Sequence, residues 1–123
     1  MPDNMLVKNG LESARKAPVW KKEGSRYKVK RMDVFNSRRD DYSPMFLSDD
    51  YSQVYFTSTR NEAQGSDLNG VTGTKSADIF FSEKNDKGKW SKPEAIGTGL
   101  NTDYEEGACC FTPDGKQMYL TQC

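Results

Sequence analysis

Residues 35–56 read Phe-Asn-Ser-Arg-Arg-Asp-Asp-Tyr-Ser-Pro-Met-Phe-Leu-Ser-Asp-Asp-Tyr-Ser-Gln-Val-Tyr-Phe, and residues 100–120 read Leu-Asn-Thr-Asp-Tyr-Glu-Glu-Gly-Ala-Cys-Cys-Phe-Thr-Pro-Asp-Gly-Lys-Gln-Met-Tyr-Leu. The second stretch restates the first. Phe35 aligns with Leu100, Asn36 with Asn101, Phe46 with Phe111, Asp49 with Asp114 and Tyr55 with Tyr119. The offset is 65 residues up to a turn and 64 after it, so one residue is dropped in that turn. A fixed internal period is the mark of stacked units that cannot bury their faces alone. The second copy runs only as far as Cys123, which leads to the expectation of a piece of a larger repeat protein.

Around these stretches the chain reads as short strands and turns. Pro44 leads a strand over 44–47, since proline is tolerated at a strand start. Ser48-Asp49-Asp50 is a turn. Residues 53–59 (Gln-Val-Tyr-Phe-Thr-Ser-Thr) are rich in β-branched and aromatic side chains and form the strongest strand. Residues 61–76 hold three glycines among polar residues and form a loop. Ala77 to Glu83, with Ile79-Phe80-Phe81, is the third strand. Asn85-Asp86-Lys87-Gly88 is a compact turn. Trp90 to Ile96, broken by Pro93, is an outer fourth strand. Upstream, residues 26–34 alternate apolar and charged side chains, which predicts an edge-like strand carrying Tyr27 and Val29 on one side. Residues 5–17 are weakly helical, interrupted by Gly10 and ended by Pro18.

Four short antiparallel strands per unit predict an all-β fold of β-propeller type. One complete four-stranded blade would span about 44–96, parts of neighbouring blades would flank it, and the second copy would start at about 100. A period near 65 exceeds the usual 40–45 residues per blade, and a 61–76 insertion accounts for the excess. Residues 1–25 read as a linker or the tail of a preceding helical domain, and residues 26–123 as the partial propeller.

Composition fits thin, half-buried sheets better than a thick helical core. Only 34% of the 123 residues are hydrophobic, mean hydropathy is −0.89, and aromatics make up 11%. Net charge is zero but uneven: residues 1–40 hold 11 Lys/Arg against 5 Asp/Glu, and residues 41–123 hold 7 against 13. The basic leader reads as a solvated connector, because no Arg-Gly-aromatic or Cys/His signature supports nucleic-acid binding. No apolar run is long enough for a membrane span or a signal peptide.

Several spaced elements together carry a family resemblance. They are Ser43-Pro44-Met45-Phe46, Tyr55-Phe56-Thr57-Ser58-Thr59-Arg60, Asp78-Ile79-Phe80, Trp90-Ser91-Lys92-Pro93, Leu100-Asn101-Thr102, Glu105-Glu106-Gly107 and Phe111-Thr112-Pro113-Asp114-Gly115. Across residues 35–123 the chain resembles the WD-repeat-like propellers of the TolB type, as found in OmpA-family envelope proteins. Among these it is most similar to the peptidoglycan-anchoring periplasmic subunits of type IX secretion machineries. The resemblance departs at Asp49-Asp50-Tyr51, where the family prefers Pro-Asp-Gly, which predicts a longer first turn. It also departs at Cys109-Cys110, which stand where the family has a small residue and proline.

The resemblance implies a non-catalytic scaffold, periplasmic and associated with the outer membrane. Its partners would be other protein subunits of an envelope assembly, and peptidoglycan through a further domain. The repeat-motif residues it singles out are Pro44, Phe46, Asp49, Tyr55, Phe56, Arg60, Asp78, Ile79, Trp90, Pro93, Asn101, Phe111, Pro113, Asp114, Gly115 and Tyr119. Three rival classes remain: an accessory propeller of a serine peptidase or other hydrolase, a glycan- or ion-binding propeller and, more weakly, a nucleic-acid binder acting through the basic leader.

The chain has no histidine, which removes Ser-His-Asp and Cys-His catalysis and imidazole-ligated zinc from its own residues. Cys109, Cys110 and Cys123 read as small buried hydrophobes rather than a disulfide or metal set. Asp67, Asn69 and Gly70 lack the ligand series of a calcium loop. No cofactor is expected. Arg60 and Asp78 flank the 61–77 segment, which predicts a cross-strand ion pair at its base. Asp40-Asp41 and Asp103, Glu105 and Glu106 recur at the repeat period, which favours carboxylates accepting backbone N–H groups at the crossovers over acid–base chemistry. Trp20, Trp90, Tyr51, Phe80 and Phe81 read as packing between units rather than as a partner surface.

Overall fold

A computed structural model describes residues 4–97 and 99–123. It is mostly β, with one helix, a four-stranded antiparallel sheet and a two-stranded sheet. The chain divides into two compact units, residues 1–30 and 31–123.

The first unit holds helix α1, Met5–Glu23. Asn4 caps it by accepting the Leu6 N–H, and Gly24 closes it with φ 73° and an N–H donated to the Trp20 carbonyl. The helix runs through Pro18, where the sequence predicts an end. Proline removes one N–H from the ladder, and the basic last turn (Lys21, Lys22) together with the Gly24 closure favours the continuation. No residue of α1 is buried.

The second unit holds all the strands: β1 (Asp41–Phe46), β2 (Gln53–Ser58), β3 (Asp78–Glu83), β4 (Glu94–Ala95), β5 (Glu106–Phe111) and β6 (Met118–Gln122). The first four form one sheet in sequence order, and β5 pairs with β6. The expected 26–34 strand is not formed. Val29 is 99% exposed, and Phe35 N–H closes a turn on the Met32 carbonyl. Alternation gave that segment a pattern, but no strand among the described residues offers it a ladder. The outer strand is also shorter than the predicted 90–96. Only Phe80–Ala95 and Phe81–Glu94 pair, after an isolated bridge at Lys84–Trp90. Pro93 has no N–H to give, and the Ser91 carbonyl accepts from the Ser82 hydroxyl.

The repeat holds in three dimensions. Both β1 and β5 carry a bulge, between Tyr42 and Met45 and, one repeat position earlier, between Glu106 and Cys109. The first turn is longer, as the repeat predicts. Leu47 N–H meets the Gln53 carbonyl around five residues, whereas Thr112 N–H meets Gln117 around four. Tyr51 and Gly115, one repeat apart, both sit in the left-handed region, at φ 54° and 67°. Only glycine takes that conformation without a steric cost.

The core comes in two layers. Phe56, Ala63 and Phe80 form one cluster, with Phe35 packed against it. Ile79, Ile96 and Cys109 form the other, surrounded by Tyr55, Phe81, Phe111, Met118 and Leu120. The second cluster joins the β5–β6 hairpin to the face of the four-stranded sheet.

Candidate functional site

The most developed constellation is a buried polar hub repeated in both copies. In the first, Asp41 Oδ2 accepts the Ser37 N–H at 2.6 Å, and Asp41 Oδ1 accepts the Ser58 hydroxyl and Arg60 Nη2, each at 2.6 Å. Arg60 Nε donates to Ser58 Oγ, and Nη2 also reaches the Phe35 carbonyl at 2.7 Å. The guanidinium lies 5.0 Å from the Phe56 ring centre and 4.8 Å from that of Phe80, a cation–π contact with two rings that stack on each other. Burial pushes the Asp41 carboxyl up, but hydrogen bonds from Ser58, Ser37 and Arg60 outweigh it and hold it below its ordinary value.

In the second copy Glu106 stands for Asp41, Thr102 for Ser37 and Gln122 for Ser58. Glu106 Oε2 accepts the Thr102 N–H at 2.9 Å, and Oε1 accepts the Thr102 hydroxyl at 2.6 Å and Gln122 Nε2 at 3.0 Å. Glu106 is fully buried. Burial raises its carboxyl, and the bonds from Thr102 and Gln122 bring it below its ordinary value.

Arg60 does not pair with Asp78, contrary to the sequence expectation. The ladder sets Ser58, not Arg60, opposite Asp78, and Arg60 turns to the β1 side to meet Asp41. Asp78 instead accepts the Gln64 N–H through Oδ2 at 2.6 Å, while its buried Oδ1 has no hydrogen-bond partner. Burial, with the Glu106 carboxyl beside it, pushes Asp78 up to about 6, against the pull of the Gln64 amide.

Asn101 carries the crossover. Its Oδ1 accepts the Ile79 N–H at 3.0 Å and its Nδ2 donates to the Ile79 carbonyl at 2.9 Å, so one side chain imitates a strand partner. Glu105 Oε2 accepts the Ala77 N–H, and Glu106 N–H meets the Ala77 carbonyl, each at 2.8 Å. The Glu105 bond is a carboxylate–backbone contact of the kind that the recurring acidic clusters suggest.

The other motif residues pack or turn the chain. Tyr55 stacks on Phe81 and meets Phe111 edge-on at 4.8 Å. Trp90 touches Phe35 and Phe46, with Lys84 Nζ 4.8 Å from its ring. Phe56 and Ile79 are core, and Pro93 is buried. Pro44 lies exposed in the bulged strand, and Asp49 and Pro113 lie exposed in the turns. Asp114 accepts from the Thr112 hydroxyl and the Lys116 N–H. Tyr119, the counterpart of Tyr55, is 59% exposed.

Surface hollows are shallow. One, of about 450 Å³, is lined by residues 44–49, Tyr51 and residues 111–113, where the two copies' turns approach each other. Another, of about 640 Å³, lies over Arg31, Asn36, Ser37, Arg39 and residues 40–42. All three cysteines are free thiols; Cys109 is buried, which pushes its thiol up, but Cys110 and Cys123 are exposed, contrary to the expectation of three buried side chains. Among the described residues, no group of three or more His, Cys, Asp or Glu is placed to hold a metal ion, and no helix is long and apolar enough to cross a membrane. Asn69 spends its side-chain oxygen on the Val71 and Thr72 N–H groups.

What sequence reasoning missed is the carboxylate–arginine pairing: the Arg60 partner is Asp41, in the strand before it. The signal was present, because Asp41 and Glu106 share one repeat position. Comparison with family models, with curated proteins and with solved structures finds no match for this chain.

Proposed function

We propose that this chain is a non-catalytic β-propeller scaffold for protein–protein docking in a bacterial cell-envelope assembly, periplasmic and associated with the outer membrane. One observation carries the repeat-scaffold part: the Tyr55 side of the first sheet packs on the Phe111 side of the next hairpin. Tyr55 and Phe111 hold different repeat positions, those of Tyr119 and Phe46 in the other copy, so unlike faces of the two copies meet. Such head-to-tail stacking is how propeller and solenoid units bury their surfaces. The envelope setting rests on the family resemblance of residues 35–123.

The buried polar groups support a structural role rather than catalysis. Arg60, Asp41, Asn101 and Glu106 are spent on backbone groups and on one another. The exposed loop after β2 is better suited to docking. Leu68 and Val71 are 62% and 97% exposed on a segment braced at its base by Ala63 and Gln64.

The test compares the intact chain with one in which residues 66–74 are replaced by a short Gly-Asn linker. Each is immobilised and presented with purified subunits of envelope secretion and peptidoglycan-anchoring assemblies. Saturable binding of one subunit by the intact chain, weakened at least about tenfold by the loop exchange, is the expected result. Hydrolysis of peptide or ester substrates by the purified chain, abolished by a single substitution, would overturn the non-catalytic reading.

A further inference from the structure

Arg60 is more than nine-tenths buried, yet its guanidinium is only partly used. Nε donates to the Ser58 hydroxyl, and Nη2 donates to Asp41 Oδ1 and the Phe35 carbonyl. Nη1, which carries two more N–H groups, has no acceptor among the described residues. It is not sealed away either: among the described residues the buried side-chain atoms without a hydrogen bond are Thr57 Oγ1 and Asp78 Oδ1. Arg60 forms part of the wall of a hollow of about 470 Å³, together with Ser37, Arg38, Arg39, Asn61 and Glu62.

We propose that this hollow binds the phosphate group of a small phosphomonoester, with Arg60 Nη1 as its fixed donor and Arg38 and Arg39 closing over it.

The charge around the hollow calls for an anion. Three guanidinium groups and one carboxylate line it. The Glu62 carboxylate lies 3.6 Å from Lys92 Nζ and is already countered. Asp40 and Asp41 border the neighbouring hollow beyond Arg39, and Asp41 is held by Arg60. Arg38 and Arg39 are exposed, and neither forms an ion pair among the described residues. Like charges around one space repel unless an anion lies between them. One carboxylate satisfies one guanidinium fork, whereas a phosphomonoester brings nearly two charges and three acceptor oxygens, enough for three donors. The frame is set before binding. Ser37 N–H donates to Asp41 Oδ2, and Arg39 N–H donates to Ser37 Oγ. Asp40 N–H donates to Thr59 Oγ1, and Thr59 N–H donates to the Asp40 carbonyl. The turn that carries Arg38 and Arg39 is thus fastened to the strand exit that carries Arg60, and only side-chain ends have to be ordered. The volume lies in the range of small-molecule sites, so the rest of the ester has room over Asn61, an exposed amide that can give or accept a hydrogen bond. The arginine pair belongs to the first copy alone. Its positions hold Asp103 and Tyr104 in the second, so the repeat is built without it.

The test follows the Arg60 Nε–H resonance, which burial protects from exchange, at constant ionic strength. Inorganic phosphate, methyl phosphate and acetate are each titrated into the unaltered chain at about pH 7.5, where the phosphates carry close to two charges. Both phosphates should give saturable shifts with midpoints of about 1–10 mM, and acetate should bind at least about tenfold more weakly. In the Arg38→Gln/Arg39→Gln chain both phosphate midpoints should rise at least about tenfold, with Tm and the free-state Arg60 resonance unchanged, because both substitutions are on exposed side chains. The proposal fails if phosphate causes only the unsaturating drift that chloride causes, if acetate matches phosphate, or if the double variant binds phosphate undiminished. A site that takes phosphate but excludes methyl phosphate also overturns it, since the room beside Asn61 would then hold no ester. Should the double variant not fold, the titrations of the unaltered chain decide alone.

Discussion

Arg60 and Asp41 show how one residue pair sets a local structure. Both side chains are more than nine-tenths buried, so each charge depends on the other and on Ser37, Ser58 and Phe35 for its hydrogen bonds. Removing one partner leaves the other charged and without water. Asp41→Asn is therefore expected to cost about 3–5 kcal/mol, read as a lower urea midpoint with an unchanged slope. Asp78 gives the opposite case, a carboxyl whose charge is unwelcome. Its value rises from 3.8 to about 6 in the fold, so its contribution to stability is full below about 3.8 and is lost as pH rises through about 6. Asp41, held below its ordinary value, runs the other way: its contribution is present above 3.8 and is lost as pH falls. Asp78→Asn keeps an oxygen for the Gln64 amide and discards the charge. It should be more stable than the parent by about 1–3 kcal/mol at about pH 7.5. That gap should close as pH drops below about 6, in parallel denaturation series. A gap independent of pH would rule out Asp78 as the titrating group.

At the scale of elements, the strands were legible where two signals agreed. β2 and β3 combine β-branched or aromatic composition with turns on both sides, and they emerge within a residue or two of the expected limits. The 26–34 segment had alternation alone, and pairing depends on a neighbour that no local pattern specifies. Pro18 misled for a related reason: proline's cost is local, whereas the Asn4 and Gly24 caps act on the whole of α1. The hub was half legible. Repetition marked Asp41 and Glu106 as structural, but pairing Arg60 with Asp78 needed a register two residues away from the true one. The 61–76 loop likewise divides on inspection of its contacts. Its base is structural: Ala63 belongs to the core, Gln64 N–H is held by Asp78, and the Ala63 carbonyl accepts from Lys75 Nζ. Its tip is exposed and bonds mostly to itself through Asn69 and Thr72. Excising residues 66–74 should change stability by less than about 0.5 kcal/mol, as for surface changes away from buried groups. Extending the excision to residues 61–76 should cost about 2 kcal/mol or more, by opening the space beside Phe56 and Phe80. Thermal melts of the two deletions separate base from tip.

At the scale of the whole β unit, the decisive contact is between copies. Tyr55 and Tyr119 are the same residue one repeat apart, on equivalent strands, each next to the first strand of its own copy. Tyr55 is half-buried between Phe81 and Phe111, so it links the four-stranded sheet to the β5–β6 hairpin. Tyr119 is 59% exposed, and its hydroxyl donates to Gln117 two residues before it. Intrinsic strand preference is the same for both, and what differs is whether another unit lies against the ring. Tyr55→Ala should therefore cost about 3 kcal/mol or more, in the range for truncating a packed aromatic, and should speed hydrogen exchange in β5 and β6 as the hairpin loosens. Tyr119→Ala should cost less than about 1 kcal/mol in this chain. If a further unit were supplied against the β5–β6 hairpin, by a second copy or a longer chain, Tyr119→Ala should become as costly as Tyr55→Ala, because the ring would then hold the position that Tyr55 holds now. Equal, small costs for both residues here would mean that the Phe111 contact does not bind the copies together, and the head-to-tail reading of the repeat would go with it.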